Sequence, residues 1–509
     1  MSIKSFSTLN LLSSYIQCNK IFVVVLDTLA NVENRNIGYR DAIESVKGYV
    51  RRYLCVDGGD VEIVVVPGRM TIAKNVGGRQ IRVEFGGDVR DAKIRILLDL
   101  YTSFFRHSIS KGERVCIATW GDPKTWRYAE YVIGDLGDFA KGDDTFSVVL
   151  DLTHGINYLP AIAREAVEEF ATAISLVLGE ETRLYIYNSD PYPTPSNVFP
   201  QRSDSDPCKP KEETASLPRL SYNLISRQFV RPWDITKFLT YETTGSITKI
   251  ISDSSGCSPI LEPQNISKIV KISKKVVALF RIGALIELLD LLHRNMYIDS
   301  EKLDKKMLDV LEAARECWLD KAQIIVDKIN GDEAATTVYR TQFRKLLDTV
   351  RLIIHAHSII VGIKNVIGDE LKQQEQKALN NCGVIKLSWI EKTFEKLLRG
   401  SHVVKAIIDV EISKMKKNIN SRTWIVYSKL LQQVDAEGKE DICVKYLERK
   451  AKRDIDKKDE RDFIAHAGFH SDILEVRKTD KDIEIRIRDI CINVTENIVK
   501  NIAEKIVRH

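Results

Sequence analysis

No proline follows Pro263, although 13 occur among the 509 residues. A proline inside a helix removes a backbone donor and clashes with the preceding turn, so the second half of the chain is free to form long helices. Seven of the 13 prolines crowd into residues 191–218, which read as a loop or linker. The nine cysteines include no C-x-x-C pair, which argues against a zinc site. Being isolated and odd in number, they are expected to be free thiols in a reducing cytoplasm. No run approaches about 18 consecutive apolar residues, so no membrane span is expected. The opening residues lack a basic stretch followed by a long apolar one, so no signal peptide is expected. A cytoplasmic location without a membrane partner follows as the expectation. There is no G-x-G-x-x-G after the first strand and no G-x-x-x-x-G-K-[ST], which disfavours a dinucleotide or triphosphate site. No clustered His, Asp and Cys set suggests a metal, so neither metal nor cofactor is expected. The net charge of +5 permits nucleic-acid binding without arguing for it.

What is present divides into two grammars. Over the first ~200 residues, short β-branched runs alternate with amphipathic stretches, the pattern of a mostly parallel sheet with helices on its faces. Residues 20–28, 60–68, 114–123, 145–155 and 182–190 read as strands, and 40–54, 91–107 and 159–179 as helices. Residues 124–134 alternate like a half-exposed strand or hairpin. Residues 219–263 are ambiguous, and "SITKIIS" could add a strand. From about residue 264 onward, apolar residues recur at i, i+3 and i+4. The expected architecture is an α/β domain over 1–250 followed by an all-α domain over 251–509.

In an open parallel sheet, ligands bind beyond the carboxyl ends of the strands. Three strands here end in small polar sets: Trp120, Gly121 and Asp122; Thr153, His154, Gly155, Ile156 and Asn157; and Asn188 and Ser189. Gly155 permits close backbone approach, and the helix starting near Leu159 offers free N–H groups to an anion. Donors without fixed charge suit a ligand bearing phosphates and bases. "LDLTHGINYLP" (150–160), "YNSDPY" (187–192) and "ATWGDPKTW" (118–126) resemble the signatures of CRISPR-associated Rossmann-fold (CARF) proteins, in the branch of type III accessory ribonucleases. The resemblance covers most of residues 1–250. It implies a Rossmann-like domain that binds cyclic oligoadenylate, with cyclic tetra-adenylate as allosteric activator. In that family the W-G-x-P strand normally opens the chain. Here "VVVLDT" (23–28) precedes it, so a rearranged strand order is expected.

Near the end stands "DERDFIAHAGFH" (459–470). On a straight helix five residues turn ~500°, leaving Arg461 and His466 about 140° apart. Either the helix bends or ends nearby, with Gly468 as a credible stop, or two chains each contribute. An arginine can hold phosphate oxygens and growing charge, and a histidine can move protons near neutral pH. By spacing alone, such a pair is more often packed or solvated. Arg461-x-x-x-x-His466 resembles the motif of HEPN ribonucleases, which the same CRISPR family pairs with CARF in this order. The resemblance implies metal-independent cleavage of single-stranded RNA at a site shared in a homodimer or higher homo-oligomer, leaving a 2′,3′-cyclic phosphate. The alternatives are a non-cleaving cyclic-oligoadenylate-binding regulator or RNA-binding protein, or a CARF ring nuclease that degrades its ligand. "KYLERKAKRDIDKKDER" (445–461) reads as a basic RNA-steering surface or, more commonly, a solvated helix face. His355 and His357, in an apolar run, read as core histidines rather than metal ligands.

Overall fold

A computed structural model describes residues 8–25, 29–32, 39–54, 61–65, 69–76, 79–86, 89–120, 130–133, 144–153, 158–190, 219–241, 263–296, 300–321, 324–329, 332–337, 341–375, 383–398, 400–431, 443 and 457–506. The "SITKIIS" stretch and the proline-rich 191–218 lie outside these residues.

The first half runs α1 (Thr8–Ser14), β1 (Lys20–Val25), β2 (Leu29–Val32), α2 (Tyr39–Leu54), β3 (Val61–Val65), β4 (Arg69–Val76), β5 (Arg79–Gly86), α3 (Val89–Arg106), β6 (Arg114–Trp120), β7 (Glu130–Ile133), β8 (Ser147–Asp151), α4 (Leu159–Leu178), β9 (Thr182–Ser189) and β10 (Arg219–Val230). The main sheet has the order β3-β1-β6-β8-β9-β10-β7. From β3 to β9 every neighbouring pair is parallel, and β10 runs antiparallel to β9. Numbered by their sequence, the parallel strands follow the 2-1-3-4-5 order of a doubly wound fold, with the winding reversing between β1 and β6. The strand carrying the W-G-x-P signature, β6, is the third of these along the chain and lies next to β1 in the sheet. The β4–β5 hairpin is an excursion between β3 and α3 that joins a second sheet, β11-β12-β5-β4-β2, whose β11 (Ile324–Ile329) and β12 (Asp332–Thr337) come from the second half.

The central strands bury both faces. Val23, Val25, Cys116, Ala118 and Trp120 pack with α1 and α2, while Phe22, Val24, Ile117, Val148 and Leu150 pack under α3 and α4. Helix α4 shows why its sequence stops and starts where it does. Pro160 sits in its first turn, and Gly179 caps its end in the left-handed region at φ 66°, donating to Leu176 O at 3.2 Å while Glu180 N donates to Ser175 O.

The second half is α5 (Pro263–Ile282), α6 (Leu285–Met296), α7 (Ser300–Lys321), then α8 (Thr341–Glu375), β13 (Ile385–Lys386), α9 (Leu387–Thr393), α10 (His402–Asn418), β14 (Ile425–Val426), α11 (Tyr427–Leu431), α12 (Lys457–Ala465), β15 (Leu474–Lys478), β16 (Ile483–Ile487) and α13 (Ile492–Ile506). It is largely helical, but among the described residues it departs from the expected all-α pattern twice: β11 and β12 form an antiparallel pair in the second sheet, and β15 and β16 form an antiparallel hairpin inside a four-stranded sheet, β13-β16-β15-β14. The hairpin buries Leu474, Val476, Ile485 and Ile487, a period-2 pattern in "LEVRK" and "IEIRI" that marks a half-buried strand pair.

The apolar core beneath α3 and α4 continues without a break into the helical half, through α8 to α5, α6 and α13. Gly362 on α8 allows the closest approach, because a Cβ there would collide with the carbonyl of Leu176 on α4. Leu347–Gly368 of α8 is long and apolar enough to cross a membrane by composition, and 72% of that window is buried inside the protein.

Two disulfides correct the free-thiol expectation for four of the cysteines. Cys18 pairs with Cys116 and Cys443 with Cys491, at Cα separations of 5.8 and 5.1 Å. The partners lie 98 and 48 residues apart, so neither spacing nor parity could pair them. It is the fold that brings the turn before β1 against β6, and residue 443 against the start of α13.

Candidate functional site

The carboxyl ends of β6, β8 and β9 lie side by side, because Ala118 is in register with Asp151 and Asp151 with Tyr187. Thr153 follows β8 in a tight turn. Its N–H donates to Asp151 Oδ1 at 2.9 Å, and its hydroxyl accepts from the Ser189 N–H at 3.1 Å. Leu152 N donates to Tyr187 O at 2.9 Å, so the ends of β8 and β9 are locked together. Asn188 pairs in register with Asn223 of β10, whose amide donates to Asp190 at 2.9 Å. Thr153, Asn188 and Ser189 are thus brought to one end of the sheet. Trp120 ends β6 beside Val25, but its side chain is fully buried among Val25, Ala118, Tyr187 and Tyr222. Gly121, Asp122, His154, Gly155, Ile156 and Asn157 lie outside the described residues. Asp151, which sequence reasoning passed over, is fully buried and organises the turn. A carboxylate closing an apolar strand was its signal.

The second constellation sits where α12 ends. The last helical residue is Ala465, immediately before His466. The helix closes with Gly468 N donating to Phe463 O at 3.0 Å and Ala467 N to Ile464 O at 3.1 Å. These are the paired bonds of a Schellman cap. They place His466 at the cap position and Ala467, at φ 48°, where glycine is usual. A left-handed alanine costs roughly 1–2 kcal/mol, and Gly468 follows it with φ 82°. Gly468 is needed twice over, since any Cβ there would also run into the buried carboxyl of Glu287 on α6. The helix ends within the five-residue spacing and does not run straight through it. Arg461 stays on the exposed face of the last turns, and His466 leaves the helix axis with about half of its side chain exposed.

His466 does not stand alone. Its Nδ1 lies 3.2 Å from Oε1 of Glu411 on α10. Glu411 is 4% exposed, and Lys414 Nζ contacts the same oxygen at 2.8 Å. On the other side of Arg461, Glu460 is buried and bonds Asn501 Nδ2 at 2.9 Å as well as Lys505, fastening α12 to α13. Sequence reasoning missed Glu411. The available signal was register: the buried face of α10 reads Val404, Ile408, Glu411, Ile412 and Met415, with one carboxylate among apolar residues. Residues 444–456 lie outside the described set, and with them most of the basic stretch.

His355 and His357 are core histidines of α8. Tyr101 Oη lies 2.8 Å from His357 Nδ1, and burial pushes that imidazole down to about 3. His355 Nε2 lies 2.8 Å from Glu169 of α4, and Tyr241 Oη lies 2.6 Å from its Nδ1. Burial pushes His355 below the usual imidazole range, against the pull of Glu169. Arg351 and Lys93 complete this buried cluster around Glu169. Among the described residues, no group of three or more His, Cys, Asp or Glu is placed to hold a metal ion.

Comparison with known proteins gives three matches. Residues 1–114 and 139–191 match the family model described as CRISPR system endoribonuclease Csx1, CARF domain. Residues 401–489 match the model described as CRISPR system endoribonuclease Csx1, HEPN domain. The chain is also 23% identical over 475 residues to the CRISPR system endoribonuclease Csx1 of Methanocaldococcus jannaschii, covering 93% of this chain and 81% of that protein. The first match contains the β8 and β9 ends, and the second contains Glu411, Arg461 and His466. An α/β sheet domain followed by a helical unit is the order in which the two models match, and the chain belongs to the CRISPR-associated CARF–HEPN ribonucleases, the Csx1 family.

Proposed function

We propose that this endoribonuclease cuts single-stranded RNA without a metal ion, is switched on by cyclic tetra-adenylate, and leaves a 2′,3′-cyclic phosphate and a 5′-hydroxyl. The sensor is assigned to residues 1–250 and the nuclease to 251–509. The observation that carries this reading is the placement of Arg461 and His466, both exposed at one helix end inside the HEPN-matched segment. His466 takes the 2′-hydroxyl proton as O2′ bonds to phosphorus. The P–O5′ bond breaks, and an imidazolium returns a proton to O5′. Arg461 holds the non-bridging oxygens as their charge grows.

A homodimer is part of the proposal. Val403 and Val410 on α10 are 72% and 51% exposed, and Ile464 of α12 is 40% exposed. Seven residues apart on a helix, the two valines share a face. An exposed apolar strip beside the motif suits a second copy related by a twofold axis, with both motifs facing one RNA.

The ligand is assigned to Thr153, Asn188 and Ser189, with Gly121, Asp122, His154, Gly155, Ile156 and Asn157 of the adjoining sequence and the Trp120 backbone at the end of β6. Support for coupling is contiguity. Helix α4 starts just beyond Thr153 and packs along α8, which packs on α5, and α5 on α13, to which Glu460 ties α12. A 100-fold activation needs a differential of only about 2.7 kcal/mol.

The test is a fluorogenic RNA assay with cyclic tri-, tetra- and hexa-adenylate added separately, repeated with EDTA, with product ends analysed. Cleavage confined to the tetra-adenylate arm, unaffected by EDTA, is expected. Failure of all three ligands to stimulate cleavage would refute the sensor assignment, and a strict Mg²⁺ requirement would refute the chemistry.

A further inference from the structure

Glu411 occupies a costly position. It is 4% exposed, on the face of α10 that otherwise buries Ile408, Ile412 and Met415. A carboxylate taken out of water this way is retained only where it is paired. Its pairs are Lys414, three residues along the same helix, and His466, 55 residues away. Lys414 supplies a countercharge from the solvent side, with 43% of its side chain exposed. The contact with His466 has a different character, because it fixes a ring.

We propose that Glu411 is the positioning residue of the nuclease centre: its buried carboxylate holds His466 as the Nδ1–H tautomer and leaves Nε2 as the nitrogen that meets RNA. This inference rests on the reading of His466 as the proton-transfer group. An ionised carboxylate only accepts hydrogen bonds, so at the 3.2 Å contact the hydrogen belongs to Nδ1. In the neutral ring Nε2 then carries the lone pair, which is the form a general base needs. After it takes a proton, the Nδ1–H stays on Glu411 and the imidazolium faces a fixed negative charge.

The backbone supports the same orientation. His466 sits at the cap of α12, its N–H donating to Asp462 O at 3.2 Å and its carbonyl accepting from Phe469 N at 2.9 Å. With main chain and Nδ1 both held, the remaining freedom of the ring is small, and the edge carrying Nε2 turns away from Glu411. The proton-transfer atom is thereby set by a residue on another helix, and the strained turn at Ala467 and Gly468 serves to bring the ring to it.

The test uses the full chain with labelled RNA and cyclic tetra-adenylate, comparing the parent with Glu411→Gln, Glu411→Leu and His466→Ala. Glutamine keeps the shape and an accepting oxygen, and leucine keeps only the volume. Glu411→Leu should lower kcat roughly 10- to 100-fold, with Glu411→Gln in between and KM changed less than about twofold. Imidazole-¹⁵N spectra, with the His466 signal identified by its loss in His466→Ala, should show the Nδ1–H form in the parent. In Glu411→Leu the signal should shift towards the Nε2–H form. Binding of cyclic tetra-adenylate by each variant reports that the chain is folded. Parent-like kcat and an unchanged tautomer in both Glu411 variants, with His466→Ala silent, would overturn this inference and leave the His466 reading standing. Parent-like cleavage by His466→Ala would overturn both.

Discussion

Replacing Glu169 with glutamine tests the buried ionic joint between α4 and the helical half. Glu169 is fully buried on α4, with Lys93 Nζ at 3.3 Å, His355 Nε2 at 2.8 Å and the Arg351 guanidinium bonded to the same carboxylate. Burial by itself would push the carboxyl up. The hydrogen bond with His355 and the positive charge of Arg351 outweigh burial and bring the carboxyl to about 2. Against about 4.3 in an unfolded chain, that difference is worth roughly 3 kcal/mol at neutral pH. An independent argument agrees, since removing one partner of a buried ion pair costs about 3–5 kcal/mol. The sign follows from the depressed value. The contribution is fully present above about pH 4.3 and is lost as pH falls towards 2. Urea unfolding of parent and Glu169→Gln, followed by tryptophan fluorescence, should show a stability gap that is flat from about pH 8 to 5 and shrinks below about 4.3. Adding Arg351→Met to Glu169→Gln should recover part of the loss, because the stranded cation is then gone. A gap below about 1 kcal/mol at neutral pH, or one that ignores acidification, would refute the account of this cluster.

His466→Ala should lower RNA cleavage about 10²–10⁴-fold and Arg461→Ala about 10²–10³-fold, with cyclic tetra-adenylate affinity unchanged in both; robust cleavage by either variant would move the active site. Thr153→Ala removes the acceptor for the Ser189 N–H and should weaken binding of labelled cyclic tetra-adenylate about tenfold or more, whereas parent-like affinity would remove Thr153 from the pocket. Gly468→Ala puts a Cβ against the Glu287 carboxyl at a left-handed position and should destabilise by at least about 1–2 kcal/mol, read as a lowered urea midpoint; a neutral effect would refute the cap geometry. His357 is held down to about 3 against about 6.5 unfolded, so its contribution is present above about pH 6.5 and is lost by about 1.4 kcal/mol per pH unit as pH falls towards 3. His357→Gln should flatten the stability–pH slope by that amount, and an unchanged slope would contradict the burial argument.

What could be read along the chain is what a dozen neighbouring residues encode. The apolar run "KIFVVV", the strand that ends at Asp151, and the helix bounded by Pro160 and Gly179 were legible because periodicity and caps are local. Arg461 and His466 could be singled out as candidates because their spacing lies within one motif. The burial pattern of α10 was equally local, and it says that Glu411 faces inward without saying what it meets. Tertiary structure alone decided that His466 is the answer, 55 residues away, and that Glu169 meets Arg351 and His355 on α8. It paired Cys18 with Cys116, turned Trp120 into the core, and used the hairpin of β15 and β16 to close a half that had read as purely helical. The physical reason is common to all of these. A sequence period shows which side of an element leaves water, but the partner waiting there is chosen by packing among elements that are remote in the chain.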